Sequence, residues 1–499
     1  MSNKIGGVVA LVAMCALSLF LLNCGSSSSR PSGILYVLTQ GTNQQGPTGI
    51  GENVSSFAIN FDNGTLSLIN SNASACPTAA SITNPEPCGL PLDILLDPAG
   101  AAAFVLDQGI PCPEEYNPQD GKWECQSAPV PPAIYPYTVN SDGSLSSPGT
   151  AVTWTCAGAN VATPCSDAAV AMIGDASGQF LFVIDQGSFP SPGTENPLVY
   201  PSCPHVPSGP TDVCPSISVF SMHSGSLTLA SGSPFYLSKI PTALSPITFT
   251  PPNGTAQELL FVSNDHDICT TCNPQHNDNT VSEYSVNSSG VLTEVTNSPY
   301  AVAAQSPSSV FAVYTNRAQE NTGGLFVYVG QGVGTGALYP FQVCTVENAG
   351  CTAQQVAETL MTPLLESCAQ PPCTPVPPTN VGQDPVAMLA DPTSNFLYVL
   401  SEGSNQVFGF TINPTAGTLA AQAPPNQSTG SYPVAMAMHA SVNSAGQLLY
   451  NSNSSGQYLY TSNTVSDNIT GFTVSTTSGS MSSPITVITP AAPSGMAAH

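Results

Sequence analysis

Residues 385–403, PVAMLADPTSNFLYVLSEG, contain two short apolar segments joined by a tight polar turn. Residues 407–419, VFGFTINPTAGTL, follow with a third apolar segment and a second turn. Short apolar segments separated by Asp-Pro, Asn-Pro and Gly turns are typical of antiparallel strands. This stretch therefore predicts a small sheet of three or four strands that follow one another along the chain.

The same pattern recurs throughout the sequence. The middle strand has seven copies, namely ILYVLTQ at 34, AFVLDQG at 103, LFVIDQG at 181, LFVSND at 260, VYVGQG at 327, LYVLSEG at 397 and LYTSNT at 459. The strand before it also has seven, namely PLDILLDPAG at 91, AVAMIGDASG at 169, PITFTPPNG at 246, PSSVFAVYTN at 307, PVAMLADPTS at 385, PVAMAMHASV at 433 and PSGMAAH at 493. One such sheet cannot bury both of its faces alone, so the repeats predict an all-β, seven-bladed β-propeller over residues 34–499.

The last copy stands alone at the C-terminus, whereas the first middle strand has no partner before it. We therefore expect residues 493–499 to supply the inner strand of the first blade. Such strand exchange would tie the two ends of the domain together and close the ring.

The P-x-x-M-x-x-D-P and LYV segments resemble the YVTN and lactonase-type (6-phosphogluconolactonase-like) seven-bladed propellers. The resemblance covers residues 34 to 499 and implies the propeller fold. It also implies lactonase activity as an expectation, although motifs of this kind carry fold better than function.

The N-terminus predicts export. Lys4 precedes an apolar run at 5–22, and the run ends at LLNC, which resembles the lipobox of bacterial lipoproteins. We expect a signal peptide at 1–23, lipid attachment at Cys24 and a flexible tether at 24–33. The domain would then lie in the cell envelope, anchored in a bacterial membrane and facing the periplasm or the exterior. An uncleaved anchor and a plain cleaved signal are the alternatives.

Charge excludes one class of partner. Only 7% of residues are charged, the formal net charge is −25, and the chain has five Lys and Arg residues. Nucleic acid binding needs clustered basic residues, so that class is excluded. Lys122, Lys239 and Arg317 are the only basic residues beyond the tether, which also disfavours a phosphorylated lactone as substrate.

Long inserts are confined to two kinds of connection. They lie between second and third strands, at 109–132, 187–215 and 265–279, or after fourth strands, at 68–90, 148–167 and 342–384. Both connections emerge at the same end of a blade. One face of the disc, here named the elaborated face, is therefore expected to carry the function, and the other is the plain face.

Fourteen cysteines occur in these inserts, an even number that favours disulfides in an exported chain. Nearest-neighbour pairing predicts Cys76–Cys88, Cys112–Cys125, Cys156–Cys165, Cys203–Cys214, Cys269–Cys272, Cys344–Cys351 and Cys368–Cys373.

Polar residues end the middle strands and are the candidate site. Ligand-binding candidates are Gln40, Gln108, Gln186, Asp265, Gln331 and Asn463, and catalytic candidates are Glu402, Asp185 and Asp107. A carboxylate can act as a general base in lactone opening. The alternative is that these side chains cap strand ends and bind loop backbone groups.

Residues 264–276, NDHDICTTCNPQH, could form a metal site. His266, Cys269, Cys272 and His276 are a Cys₂His₂ set suited to zinc, and Asp265, Asp267 and Asp278 offer oxygen ligands for calcium. A plain disulfide loop with no cofactor is the preferred interpretation.

The sequence therefore predicts an exported, membrane-tethered propeller lipoprotein whose elaborated face binds a protein, a glycan or a small ligand. The enzymatic alternative is a lactonase-like hydrolase of an uncharged lactone at the central funnel. A purely structural component of the envelope is the third possibility.

Overall fold

The structure is a computed structural model, and it describes residues 33–40, 52–74, 91–108, 114–117, 122–125, 132–154, 169–186, 215–237, 239–250, 255–267, 277–315, 324–345, 351–357, 359–366, 374–440, 457–482, 484–489 and 492–499.

The first three blades contain fourteen of the strands in these ranges. Blade one contains β1 (Ile34–Gln40), β2 (Glu52–Ile59) and β3 (Leu66–Ser74). Blade two contains β4 (Pro91–Leu96), β5 (Ala102–Asp107), an inserted hairpin of β6 (Glu114–Asn117) and β7 (Lys122–Cys125), then β8 (Ala133–Thr138) and β9 (Val152–Thr153). Blade three contains β10 (Ala169–Gly174), β11 (Phe180–Asp185), β12 (Ser216–His223), β13 (Ser226–Leu229) and β14 (Phe235–Tyr236).

Four more blades and a C-terminal strand follow. Blade four contains β15 (Lys239–Phe249), β16 (Gln257–Asp267), β17 (Asn277–Val286), β18 (Leu292–Glu294) and β19 (Tyr300–Ala301). Blade five contains β20 (Pro307–Tyr314), β21 (Leu325–Gln331), β22 (Ala337–Val343), the short helix α1 (Ala353–Ala357), β23 (Met361–Pro363) and β24 (Thr379–Asn380). Blade six contains β25 (Pro385–Ala390), β26 (Phe396–Ser401), β27 (Gln406–Ile412) and β28 (Leu419–Ser428). Blade seven contains β29 (Pro433–Ala440), β30 (Gln457–Asn463), β31 (Asn468–Val474) and β32 (Ile485–Ile488), and β33 (Pro493–Ala498) ends the chain.

Blade one has the strand order β3-β2-β1-β33, so its innermost strand comes from the C-terminus. Leu35 pairs with Ala498 and Val37 with Met496 in this antiparallel pairing. The inner strands β33, β4, β10, β15, β20, β25 and β29 contact one another in a closed cycle. The predicted all-β, seven-bladed propeller and its closure by strand exchange are therefore confirmed.

The second strand of each blade is buried on both faces. All six residues of β5, of β11 and of β26 are buried. Apolar clusters cross the blade boundaries, since Phe182 of blade three and Leu260 of blade four belong to one cluster. Each blade is thus covered by its neighbours, which explains why these strands are continuously apolar rather than alternating.

A recurring hydrogen bond joins one blade to the next. The buried hydroxyls of Tyr36, Tyr328, Tyr398 and Tyr460 donate to the backbone carbonyls of Gly143, Gly417, Gly479 and Gly64, at 2.9, 2.8, 2.6 and 2.8 Å. Each acceptor lies in the turn between the third and fourth strands of the following blade. These glycines have φ between 66° and 86°, a left-handed conformation that glycine adopts without steric cost.

The inserts contain more regular structure than expected. β6 and β7 form a hairpin within 109–132, and α1, β23 and β24 lie within 342–384. The insert placed at 265–279 is shorter than predicted, because β16 continues to Asp267 and β17 begins at Asn277.

One predicted disulfide, Cys344–Cys351, is confirmed, with the two Cα atoms 5.5 Å apart. The other six predicted pairs stay predictions, because their cysteines lie outside the described residues, apart from Cys125, of which only the backbone is described. Cys24 and the signal peptide also lie outside them. Within the described part of the chain no helix has the length and apolarity needed to cross a bilayer.

We expect Tyr398→Phe to lower the free energy of unfolding by about 1–2 kcal/mol, because the buried carbonyl of Gly479 loses its donor. Tyr314→Phe removes an exposed hydroxyl that donates to the carbonyl of Thr250 at 3.0 Å, and it is the control, with an expected loss below about 0.5 kcal/mol. Urea unfolding of both variants measures the difference. Equal losses of unfolding free energy in the two variants would show that the buried bond between blades stabilises the fold no more than the exposed one.

Candidate functional site

The candidate residues at the ends of the second strands fall into two adjacent rows. The first row consists of Thr39, Asp107, Asp185, Asn264, Gln331, Ser401 and Asn463. Its members pair with the first residue of the inner strand in six blades and with Pro241, the third residue of β15, in blade four. The second row follows by one residue and consists of Gln40, Gln108, Gln186, Asp265, Gly332, Glu402 and Thr464. Successive side chains of a strand point to opposite faces, so the candidates do not form one set as the sequence pattern suggested.

The first row lies mostly inside the blades. Asp107, Asp185 and Asn463 are buried and offer no surface to a ligand arriving from solvent. The Asn463 amide donates to Asn468 Oδ1 at 2.8 Å and to Thr470 Oγ1 at 2.9 Å. Asn463 therefore holds its second strand to the third strand of the same blade.

Gln331 is the more accessible member of the first row. Its Nε2 donates to the carbonyl of Val333 at 2.8 Å, and its Oε1 accepts from the Tyr339 hydroxyl at 3.1 Å. Both bonds order the loop after β21.

The second row connects neighbouring blades at the elaborated face. Gln40 Nε2 donates to the carbonyl of Pro91 at 3.1 Å, and Gln186 Nε2 donates to that of Pro241 at 2.9 Å. Thr464 Oγ1 donates to the carbonyl of Pro493 at 2.7 Å. Each acceptor is the inner-strand proline that pairs with the first-row residue of the following blade, so these side chains join neighbouring blades around the channel mouth. Gln108 is half-buried, and the side chain of Asp265 lies outside the described residues.

Glu402 differs from Gln40, Gln186 and Thr464, because an ionised carboxylate cannot donate a hydrogen bond. Its side chain is half-buried and hydrogen-bonded to the Tyr432 side chain. Loss of solvation raises the pKa of Glu402, and the nearby Asp384 carboxylate raises it further. Burial also raises the pKa of Asp384. Two partly desolvated carboxyls and an exposed tyrosine thus meet at the channel mouth.

A further carboxylate lies in the inner ring and was not among the candidates from the sequence. The inner-strand residue two positions after the partner of the first row is small in six blades, namely Ala171, Ala243, Ser309, Ala387, Ala435 and Gly495. Blade two has Asp93 at this position. An alignment of the seven inner-strand segments of the sequence would have shown that Asp93 differs from the small residues at this position.

Asp93 is held by backbone groups of two blades. Its Oδ1 accepts from the amide of Ile94 at 2.8 Å, and its Oδ2 accepts from the amide of Met172, in the inner strand of blade three, at 3.4 Å. A Cβ atom on Gly495 would lie 2.8 Å from the Cα of Asp93, so β33 packs directly against this residue.

The environment of Asp93 shifts its acidity. Asp93 is closely surrounded by protein, but part of its surface is accessible to water. Both are expected of a residue in the wall of a narrow channel. Loss of solvation raises the pKa of Asp93 to about 7, and the two amide hydrogen bonds oppose this rise. At neutral pH the carboxyl is therefore poised to exchange a proton.

Glu283, in β17, is a buried carboxyl away from the channel. It lies beside the side chain of Tyr300 and the backbone of Met361 in blade five, and burial raises its pKa to about 8.

The predicted metal site cannot be assembled from the described part of the chain. Cys269, Cys272 and His276 lie outside it, as do the side chains of His266, Asp265, Asp267 and Asp278. Among described residues no group of three or more His, Cys, Asp or Glu side chains could hold a metal ion. The zinc and calcium alternatives stay untested.

The fold and the ring around its channel define a seven-bladed β-propeller, and one family model is similar to part of the chain. The model of the family "Lactonase, 7-bladed beta-propeller" matches residues 375–492. The resemblance inferred from the repeats is thereby confirmed, most directly for the last two blades. No curated protein matches the chain.

Solved structures share the fold at low identity. A putative 6-phosphogluconolactonase from Bacteroides fragilis NCTC 9343 has a TM-score of 0.52 at 13% identity, covering 94% of this chain and 98% of its own. The periplasmic gluconolactonase of Pseudomonas aeruginosa has a TM-score of 0.51 at 14% identity, covering 93% and 98%. A protein from Lactobacillus plantarum has a TM-score of 0.51 at 13% identity, covering 94% and 99%.

We expect stability to fall as the pH rises from about 4.5 to 8. In this window the folded state keeps a proton on Glu283 that the unfolded chain, with a pKa near 4.5, has released. Glu283→Gln should remove about 2–4 kcal/mol of this pH dependence, given about 1.4 kcal/mol per pKa unit. Urea unfolding at pH 5 and pH 8 measures it, with the exposed Glu366→Gln as control. If the free energy of unfolding of Glu283→Gln fell with pH as steeply as that of the wild type, Glu283 would not be the source of the pH dependence.

Proposed function

We propose that the protein hydrolyses uncharged lactones at the elaborated end of its central channel, with Asp93 as the general base. The observation that carries this proposal is the single carboxylate in an inner ring of otherwise small residues. Its pKa of about 7 suits a group that accepts a proton in one step and returns it in the next.

The reaction needs two proton transfers. Ionised Asp93 takes a proton from water while the water oxygen bonds to the lactone carbonyl carbon, which produces a tetrahedral oxyanion. Collapse of that intermediate restores the carbonyl and breaks the ring C–O bond. The departing alkoxide takes the proton back from Asp93, so the product is an open hydroxy acid and the carboxylate is regenerated.

The charges of the described residues favour an uncharged substrate. Lys239 is the one Lys or Arg whose side chain lies in the described part of the chain. Carboxyls at the mouth would repel an anion, and a phosphate would lack the cationic partner it requires. The similar Pseudomonas protein is named a periplasmic gluconolactonase, which supports an uncharged sugar lactone as the first substrate to test.

Binding without turnover is the second candidate. The half-buried Glu402 and the exposed Tyr432 present a polar and an aromatic group to solvent at the mouth. These groups suit capture of a glycan, a small ligand or a protein by an envelope lipoprotein. Lipid attachment at Cys24 and an envelope location belong to both candidates.

We expect the full chain, purified in detergent, to open D-glucono-1,5-lactone faster than the uncatalysed reaction, and Asp93→Asn to lower kcat by about 10²-fold or more with little change in KM. The wild-type rate should rise with pH through about 7, because the base must be ionised. Stopped-flow assays with a pH indicator measure both quantities.

Asp62→Asn, at an exposed turn of the plain face, is the control and should keep full activity. Wild-type rates in Asp93→Asn would exclude this residue as the base. Absence of turnover over a panel of neutral lactones would favour the binding candidate.

A further inference from the structure

Tyr432 is an exposed aromatic residue with an unusual backbone conformation. It immediately precedes Pro433, the first residue of β29, so it lies at the elaborated end of the channel. Half of its surface is exposed, at 50%. Its φ is 60°, in the left-handed region that bulky residues rarely adopt.

The same conformation recurs before the inner strands of other blades. Ser306, Asp384 and Ala492 have φ of 45°, 55° and 51° and also lie one residue before the inner strand. The conformation is therefore a feature of the blade. Among these four positions, only blade seven places an aromatic ring there.

Hydrogen bonds from two blades hold this residue. The Tyr432 amide donates to Asn405 Oδ1 at 2.7 Å, and its carbonyl accepts from the amide of Thr464 at 2.9 Å. Its side chain is hydrogen-bonded to Glu402. An exposed ring with a fixed backbone and a tethered hydroxyl loses little conformational entropy when a ligand packs on it.

We propose that Tyr432 and Glu402 form a subsite for the ring of a neutral sugar. A sugar ring has an apolar C–H face that packs on an aromatic side chain, and its hydroxyls donate to a carboxylate, which can accept several hydrogen bonds. The adjacent Asp384 carboxyl favours hydroxyl donors over anionic groups. The inference rests on the proposed function and names the substrate class of the same site.

The position of this subsite suits a sugar lactone. Only blade one separates blade seven from blade two in the ring, and its inner strand β33 connects them. The hydroxyl of Ser462 donates to the carbonyl of Ser494 at 2.6 Å, and the hydroxyl of Ser494 donates to the carbonyl of Pro91 at 3.1 Å. Asp93 lies three residues further along its strand than the level of Tyr432, which corresponds to about 10 Å. A sugar at the mouth can therefore direct its lactone group inward.

Sugar binding by a variant that lacks the proposed base, Asp93, tests the subsite independently of the proposed hydrolysis. We expect the full chain carrying Asp93→Asn to bind D-glucose in calorimetric titration, and adding Tyr432→Ala to weaken that binding at least tenfold. Val465→Ala, which truncates a neighbouring apolar residue that is 67% exposed, is the matched control and should leave binding unchanged. Glucose 6-phosphate should bind more weakly than glucose.

Kinetics on the protein with its base intact supply the second measurement. Tyr432→Ala should raise KM for D-glucono-1,5-lactone at least tenfold with kcat nearly unchanged, and should leave KM for γ-butyrolactone, which carries no sugar hydroxyls, unaltered. Unfolding temperatures confirm that each variant is folded. Sugar binding that does not depend on Tyr432, no glucose binding, or an equal effect on both lactones would overturn the subsite. Tyrosine-dependent sugar binding without turnover would overturn only the proposed hydrolysis.

Discussion

The hydrogen bond from a buried tyrosine hydroxyl to a glycine carbonyl of the next blade reflects the main constraint on this fold, which is that each blade depends on its neighbours for burial. A four-stranded blade has two apolar faces and can bury them only against its neighbours. The bond from Tyr460 to Gly64 spans 396 residues of sequence and joins the last blade to the first. With β33 paired to β1, it makes the ring continuous, so each blade supports the side chains of the next. The position of every group at the channel follows from this closure.

The candidate site is found where one blade departs from the repeat. The inner ring has small residues because adjacent inner strands approach closely, as the contact between Gly495 and Asp93 shows. A carboxylate at such a position loses solvation and gains only two amide donors in exchange. Glu402 at the mouth also loses solvation, and it stands where Gln40 and Gln186 join neighbouring blades. Tyr432 beside it is exposed to solvent. A repeat protein retains an unfavourable residue of this kind at a site of function more readily than at a structural position.

Burial raises the pKa values of these carboxyls, and the chain has few basic residues that could oppose the rise. In a domain rich in basic residues, an arginine or a lysine nearby would return them to their ordinary range. In the described part of this chain, desolvation is instead the largest cause for Asp93, Glu283 and Glu402. The chemistry available at the channel is therefore proton transfer and hydrogen bonding to neutral groups, which is what an uncharged lactone requires.

The sequence by itself determined the blade pattern, the number of blades, the closure by residues 493–499 and the pairing of Cys344 with Cys351. These features depend on local periodicity and short spacings, which the order of residues expresses directly. It also indicated the strand ends of the elaborated face, and Glu402 among them. Only the tertiary structure decided which polar strand ends face solvent, because that depends on the packing of the next blade. Asp107, Asp185 and Asn463 proved buried, and Gln40 and Gln186 bind backbone carbonyls. Asp93 acquires its raised pKa from strands far apart in sequence, β4, β10 and β33, and that desolvation exists only once the ring has closed.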